Sequence, residues 1–92
     1  MEELSLLCAP LETLAQLHAA LRQVLCLPDY YGENFDALYD CLTERGVPTH
    51  LEVRDLERSG LGEAGCVFRQ VLLDAAACNP NFCVSFTQTP DA

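Results

Sequence analysis

Two aspartates and a tyrosine in the middle of the chain are the residues best suited to chemistry. Asp36, Tyr39 and Asp40 are three and four positions apart, so a helix would place them on one side. Two neighbouring carboxylates can act as a general acid and base, which requires a cleft that raises the pKa of one of them. They can also bind cationic groups, with the tyrosine supplying contact area. Because a helix face is open to water, we favour binding over catalysis.

A short helix is predicted to carry these residues. Asn34 is a suitable N-cap, since its side-chain oxygen can accept a free N–H of the first turn. The side that faces the core would contain Phe35, Leu38 and Leu42. A second, acidic side would contain Asp36, Tyr39, Asp40 and Thr43. That side is either a solvated surface or a surface for a cationic partner, and repulsion between its like charges, about 0.2–0.5 kcal/mol, makes it locally unfavourable.

The stretch from Leu27 to Thr43 resembles the signature of the barstar family, whose members inhibit a secreted bacterial ribonuclease inside the producing cell. It reads Leu-Pro-Asp-Tyr-Tyr-Gly-Glu-Asn-Phe-Asp-Ala-Leu-Tyr-Asp-Cys-Leu-Thr. The signature is specific because it combines proline, Tyr-Tyr-Gly, asparagine and two aspartates at fixed offsets. The chain length, the order of elements and a later Leu-Glu-Val-Arg stretch are also similar to the family.

The resemblance implies an inhibitor whose acidic helix occupies the nuclease active site in place of RNA phosphate. The residue that matches Asp40 would reach deepest into that site, and the residue that matches Asp36 would pair with another cation there. Counting back from the last strand places a further binding acid at Asp74. Six more positions match family contacts: Tyr30, Gly32, Asn34, Ala37, Tyr39 and Thr43. Tyr31 is expected to pack inside the protein instead.

Three departures from the barstar signature affect the choice of partner. Tyr39 stands where barstar has tryptophan, and Glu44 and Arg45 stand where it has glycine and tryptophan. Arg45, as a partner-facing residue, would bring a positive charge close to a basic target. A related microbial ribonuclease or a toxin nuclease domain therefore fits as well as barnase. The alternative function is an immunity protein, antitoxin or adaptor of the same fold that binds a different basic partner.

The charge of the chain limits its partners. Its 92 residues carry fourteen acids against five arginines and no lysine, a formal net charge of −9. Such a surface repels nucleic acid and anionic membranes and attracts basic proteins. We therefore expect a basic protein partner, no direct contact with nucleic acid or membrane, and a monomer before binding.

Catalysis, metal binding and export are not indicated. His18 is expected to be a packed or half-exposed residue of the first helix, and His50 has no evident partner. No Gly-x-Ser-x-Gly, Walker or His-Glu-x-x-His motif is present. No Cys-x-x-Cys pair marks a zinc site, so we predict neither metal nor cofactor and interpret the chain as a non-enzyme. The start of the chain lacks a signal-peptide pattern, which favours a bacterial cytoplasmic protein. In that compartment the six cysteines would be reduced thiols that act as small hydrophobic residues.

The hydrophobic pattern predicts a small α/β fold. Strands are expected around residues 4–8, 49–53 and 82–86, and helices over about 11–26, from 35, briefly after Asp55, and over 63–78. The order β-α-α-β-α-α-β predicts a three-stranded parallel sheet packed with about four helices, in one domain over residues 1–88 with a short tail at 89–92. The apolar run around Leu7 suggests that both faces of the first strand are covered. The resemblance places that strand in the middle of the sheet.

Overall fold

The computed structural model describes residues 1–88, and the predicted tail at 89–92 lies outside the described residues. The elements follow in the order β1 (Glu2–Leu7), α1 (Leu14–Val24), α2 (Phe35–Thr43), β2 (Thr49–Arg54), a 3₁₀ turn (Leu56–Arg58), α3 (Glu63–Cys78) and β3 (Phe82–Thr87). All three strands run parallel in one sheet. The predicted α/β class is confirmed.

The centre of the sheet is β2, because the strand order is β1-β2-β3. The expectation that β1 lies in the middle is therefore wrong. Glu3 of β1 is opposite His50 of β2, which is opposite Cys83 of β3. The expectation that both faces of β1 are covered is also wrong: Leu6 is 2% exposed on the core side, whereas Leu7 points to the other face and is 49% exposed.

Local capping sets the helix limits. The Thr13 side chain accepts the Gln16 N–H and the Gln16 side chain accepts the Thr13 N–H, so α1 begins later than residue 11. After the last turn Cys26 has a φ of 53°, in the left-handed region, so α1 also ends before the predicted residue 26. Helix α3 spans Glu63–Cys78, the range that the sequence predicted. The predicted brief helix after Asp55 is a single 3₁₀ turn, so residues 1–88 contain three α-helices rather than the predicted four.

The hydrophobic core lies between one face of the sheet and the helices. Its largest fully buried side chains include Phe68 of α3 and Phe82 of β3. Val67, which the periodicity placed on the inner side of α3, is 48% exposed. Within residues 1–88, no helix is both long enough and apolar enough to cross a membrane.

The cysteines differ from their predicted role. Cys8 is buried and Cys41 is half-buried, but the other four are exposed: Cys26, Cys66, Cys78 and Cys83. The interpretation of the cysteines as small hydrophobic residues therefore fits Cys8 and Cys41 but not the four exposed thiols.

Buried Cys8 should make the protein less stable in alkali. Burial raises the pKa of its thiol from 9.0 to about 11, and the Asp55 carboxylate adds to this shift. Because the folded state favours the neutral thiol, this contribution is complete below pH 9 and is lost as the pH rises towards 11. We expect Cys8 to lower the free energy of unfolding by about 2 kcal/mol over that range. Urea unfolding at several pH values should show a shallower decline for Cys8→Ala, and parallel curves would contradict this assignment.

Candidate functional site

Helix α2 is fixed in place at its start and along its inner side. The Asn34 side-chain oxygen accepts the Ala37 N–H at 2.8 Å, which confirms the predicted N-cap. Leu38 and Leu42 are completely buried, as predicted. The Phe35 ring is stacked 6.4 Å from the ring of Phe68, on α3. The core side of α2 therefore determines which way its other side faces.

The other side of α2 presents unpaired negative charge. Asp36 and Asp40 are both exposed, and neither forms an ion pair with any residue in the described range 1–88. The half-buried Ala37 and Thr43 lie on the same helix. The Thr43 hydroxyl donates to the Tyr39 carbonyl at 2.9 Å, so it stabilises the last turn.

Tyr39 connects this acidic side to α3. Its hydroxyl oxygen lies 3.2 Å from the sulfur of Cys78. That hydrogen bond, the electrostatic interaction with Cys78, partial desolvation and the carboxylates of Asp74 and Asp40 all raise the pKa of Tyr39. The ordinary tyrosine pKa of 10.0 already lies well above neutral, so the phenol stays uncharged at physiological pH. Asp74 is itself exposed and accepts a hydrogen bond from the Gln70 side chain at 2.9 Å.

The structure thus places Asp74 near the acidic side of α2, where two helices contribute carboxylates around one tyrosine. We define Asp36, Tyr39, Asp40 and Asp74 as the acidic face. Sequence reasoning did not identify Cys78 or Gln70 as neighbours of this face. No local signal could have done so for Cys78, because it lies 39 positions from Tyr39.

The loop that precedes α2 separates its two tyrosines. Tyr30 is 87% exposed, whereas Tyr31 is 5% exposed and its hydroxyl lies 2.6 Å from Nδ1 of His18. Tyr31 is therefore an internal packing residue, as predicted. Burial lowers the pKa of His18 and raises that of Tyr31, so this pair is uncharged at neutral pH. His18 is 3% exposed, so it is a packed residue, as expected.

Gly32 and Asn34 close the same loop. The Asn34 side-chain amide donates to the Gly32 carbonyl at 3.2 Å. A β-carbon at Gly32 would lie 3.2 Å from that amide nitrogen, closer than most such contacts. The absence of a side chain at Gly32 therefore lets the loop pack closely against Asn34, the N-cap residue of α2.

Arg45 makes its contacts inside the chain. Its guanidinium donates to the Thr49 hydroxyl at 2.7 Å and to the Leu25 carbonyl at 3.0 Å, and it pairs with Glu2 at 3.5 Å. The side chain is only 16% exposed. Arg45 thus joins β2 to the end of α1, and contact between Arg45 and a partner stays a prediction.

Asn79 joins the ends of α2 and α3. Its buried side-chain amide donates to the Leu42 carbonyl at 2.8 Å and to the Arg45 carbonyl at 3.0 Å. In the sequence this residue indicated only the end of α3. The Leu42 carbonyl also accepts the Arg45 N–H at 3.4 Å, so the amide adds a second, shorter hydrogen bond at the end of α2, where helix carbonyls lack intrahelical donors.

Replacing Asn34 should weaken α2 selectively. Asn34→Ala removes the cap of the helix that carries three residues of the acidic face, and we expect it to cost about 1 kcal/mol in the free energy of unfolding. Asn34→Ser keeps a capping oxygen and should cost much less. Chemical denaturation of both variants provides the measurement. Equal losses for the two variants would show that the cap is not what stabilises this helix.

Comparison with known proteins identifies the family of this chain. The sequence model of the family described as Barstar (barnase inhibitor) matches residues 1–86. The chain belongs to the barstar family. A Bacillus subtilis (strain 168) protein named "Putative ribonuclease inhibitor YrdF" is 56% identical over 32 residues, which are 35% of this chain and 35% of that protein. This match therefore spans about a third of that relative's length.

Proposed function

We propose that this barstar-family protein binds a basic ribonuclease one-to-one and blocks its active site with α2. The observation that carries the proposal is the exposure of Asp36 and Asp40 without an ion pair in the described chain. The description of the family as a barnase inhibitor supports the class of partner.

The chemistry of the acidic face suits a nuclease that holds RNA phosphates with arginine, lysine and histidine. A carboxylate can take the place of a phosphate and form charge-assisted hydrogen bonds to the same cations. Asp36 and Asp40 lie four positions apart on one helix, so they repel each other while the protein is free. A cationic partner would remove that repulsion. The net charge of −9 would also steer a basic partner towards the inhibitor.

The tyrosines would supply apolar contact. Tyr30 is almost fully exposed and Tyr39 is half-buried beside Cys78. The Tyr39 phenol is uncharged at neutral pH, and an uncharged phenol loses less hydration on burial than a phenolate would. Asp74 would extend the negative surface onto α3, where it would contact the rim of the nuclease.

The partner that we propose is a secreted basic microbial ribonuclease, either barnase or a related toxin nuclease. The inhibitor would act as an immunity protein or antitoxin in the cytoplasm of the producing bacterium. Gly32, Asn34, Ala37 and Thr43 would contribute contacts around the central carboxylates, with Arg45 at the edge. These roles follow from the family positions that the residues match.

Titration of nuclease activity tests this function. The full chain is added to barnase and to several other small basic ribonucleases, and cleavage of a fluorogenic RNA substrate is followed. We expect one nuclease to lose its activity at equal molar amounts, with association slowed by high salt. If none is inhibited at micromolar inhibitor, the proposed function is wrong.

A matched pair of variants distinguishes specific recognition from attraction by net charge. Asp40→Asn and Glu63→Gln each remove one negative charge. Glu63 lies at the start of α3, eleven residues and so about 16 Å along the helix from Asp74. Only Asp40→Asn should weaken inhibition strongly. Equal weakening by both variants would indicate a non-specific electrostatic complex.

A further inference from the structure

A chain of three polar side chains crosses the exposed face of the sheet. Nδ1 of His50, on the central strand, lies 2.6 Å from a carboxylate oxygen of Glu3 on β1. Nε2 of the same ring lies 2.9 Å from the hydroxyl oxygen of Ser85 on β3. The expectation that His50 lacks a partner is therefore wrong. Because the residues come from three separate strands, the sheet register sets their order.

The hydrogen bonds determine where the proton of the neutral imidazole lies. A carboxylate only accepts hydrogen bonds, so Nδ1 must donate to Glu3. In the neutral ring Nε2 is then an acceptor, and the Ser85 hydroxyl donates to it. A hydroxyl bound to the basic nitrogen of a histidine, which a carboxylate orients from the other side, is the arrangement that activates a serine nucleophile.

We propose that Ser85 is an activated nucleophile that accepts the acyl group of small activated carboxylic esters. In the step, a bond forms between Ser85 Oγ and the ester carbonyl carbon, and the bond from that carbon to the leaving alkoxide breaks. His50 takes the Ser85 proton and passes it to the alkoxide, which departs as the alcohol. Water can later release the acid and regenerate the serine by the same proton transfers. Glu3 is a positioning residue in this scheme.

The surroundings of Ser85 set the class of substrate and the rate. The His50 side chain is 29% exposed and that of Glu3 is 68% exposed, so the array is open to solvent. Ser85 lies opposite Glu52, whose carboxylate is 3.6 Å from the Arg54 guanidinium. Because an open face has no dry cavity to stabilise a developing oxyanion, slow acylation by small esters with good leaving groups is expected. The array is separate from the acidic face and does not rest on the proposed inhibitor function.

Covalent labelling tests the proposal. The full chain is treated with an alkyl fluorophosphonate, which reacts with activated serines, and separately with p-nitrophenyl acetate, and the adducts are located by peptide mass spectrometry. We expect one phosphonyl adduct and an acetyl adduct at Ser85. Both should be absent from Ser85→Ala. His50→Gln should slow labelling at Ser85 about 100-fold, the lower end of what a general base contributes. The thiol of Cys83, exposed on the same face, can react with the acetate ester, but peptide mapping separates that product.

Two further variants make the outcome decisive. Ser5 of β1 is exposed on the same face of the sheet, because it pairs with Glu52, which in turn pairs with Ser85. The Ser5→Ala variant should therefore be labelled at Ser85 as fast as the wild type. Glu3→Gln should lower the maximal labelling rate at saturating fluorophosphonate without changing the concentration that gives half that rate. Circular dichroism checks that each variant is folded. No adduct at Ser85, or equal labelling rates for wild type and folded His50→Gln, would overturn the proposal.

Discussion

Replacing Asp40 with alanine should weaken binding to the inhibited ribonuclease more than any other single change on the acidic face. In the proposed complex this carboxylate is enclosed among the cations of the active site. Removing one partner of a buried ion pair leaves the opposite charge unpaired, which costs about 3 kcal/mol and corresponds to a roughly 100-fold rise in Kd. Asp36→Ala and Asp74→Ala should have smaller effects, since those residues would lie nearer to solvent. Surface plasmon resonance or stopped-flow competition gives the Kd of each variant.

The stability of the free protein provides the control for this experiment. Asp40 is exposed and forms no ion pair within residues 1–88, so its removal should leave the free energy of unfolding unchanged or raise it by a few tenths of a kcal/mol as repulsion from Asp36 is relieved. A lost complex with unchanged stability would identify a contact residue. If folded Asp40→Ala inhibits as well as wild type, α2 does not block the active site in the way proposed.

The largest loss of stability is expected at Phe68. Its side chain is completely buried in the centre of α3, and its ring stacks on Phe35 at the start of α2. Truncation to alanine removes most of a large side chain from a packed core and should lower the free energy of unfolding by about 3–5 kcal/mol. Natural domains have only about 5–15 kcal/mol in total, so this loss would remove a large share of the stability.

Leu73 is the matched control on the same helix. It is 42% exposed, so Leu73→Ala should cost less than about 1 kcal/mol. Urea unfolding followed by circular dichroism compares the two variants. A loss below about 1 kcal/mol for Phe68→Ala would mean that the contact between α2 and α3 does not depend on this ring.

The parts of the fold that depend on local chemistry could be predicted from the sequence. Asn34 indicated the start of α2, and the apolar spacing of Leu38 and Leu42 indicated its inner side. The hydrophobic pattern over residues 63–78 indicated the limits of α3. Strand order could not be obtained in this way. An edge strand whose outward side includes an apolar residue, as β1 does at Leu7, has the same apolar run as a central strand.

In the candidate site, too, features that depend on local sequence could be predicted, whereas contacts between distant residues could not. Asp36, Tyr39 and Asp40 share a helix, so their common face was predictable from spacing. The contact of Tyr39 with Cys78, the pairing of Tyr31 with His18 and the polar array around His50 all join residues far apart in sequence. No periodicity connects such residues, because the three-dimensional arrangement of helices and strands brings them together.

The amide of Asn79 has a consequence for the energetics of association. By bonding two carbonyls at the end of α2, it fixes that end to the end of α3, near the Cys78 that contacts Tyr39. A surface held in this way is preorganised, so little conformational entropy is lost when a partner docks. The free and bound shapes of α2 should therefore superimpose closely, and differences in affinity among partners should reflect contacts more than the cost of ordering the inhibitor.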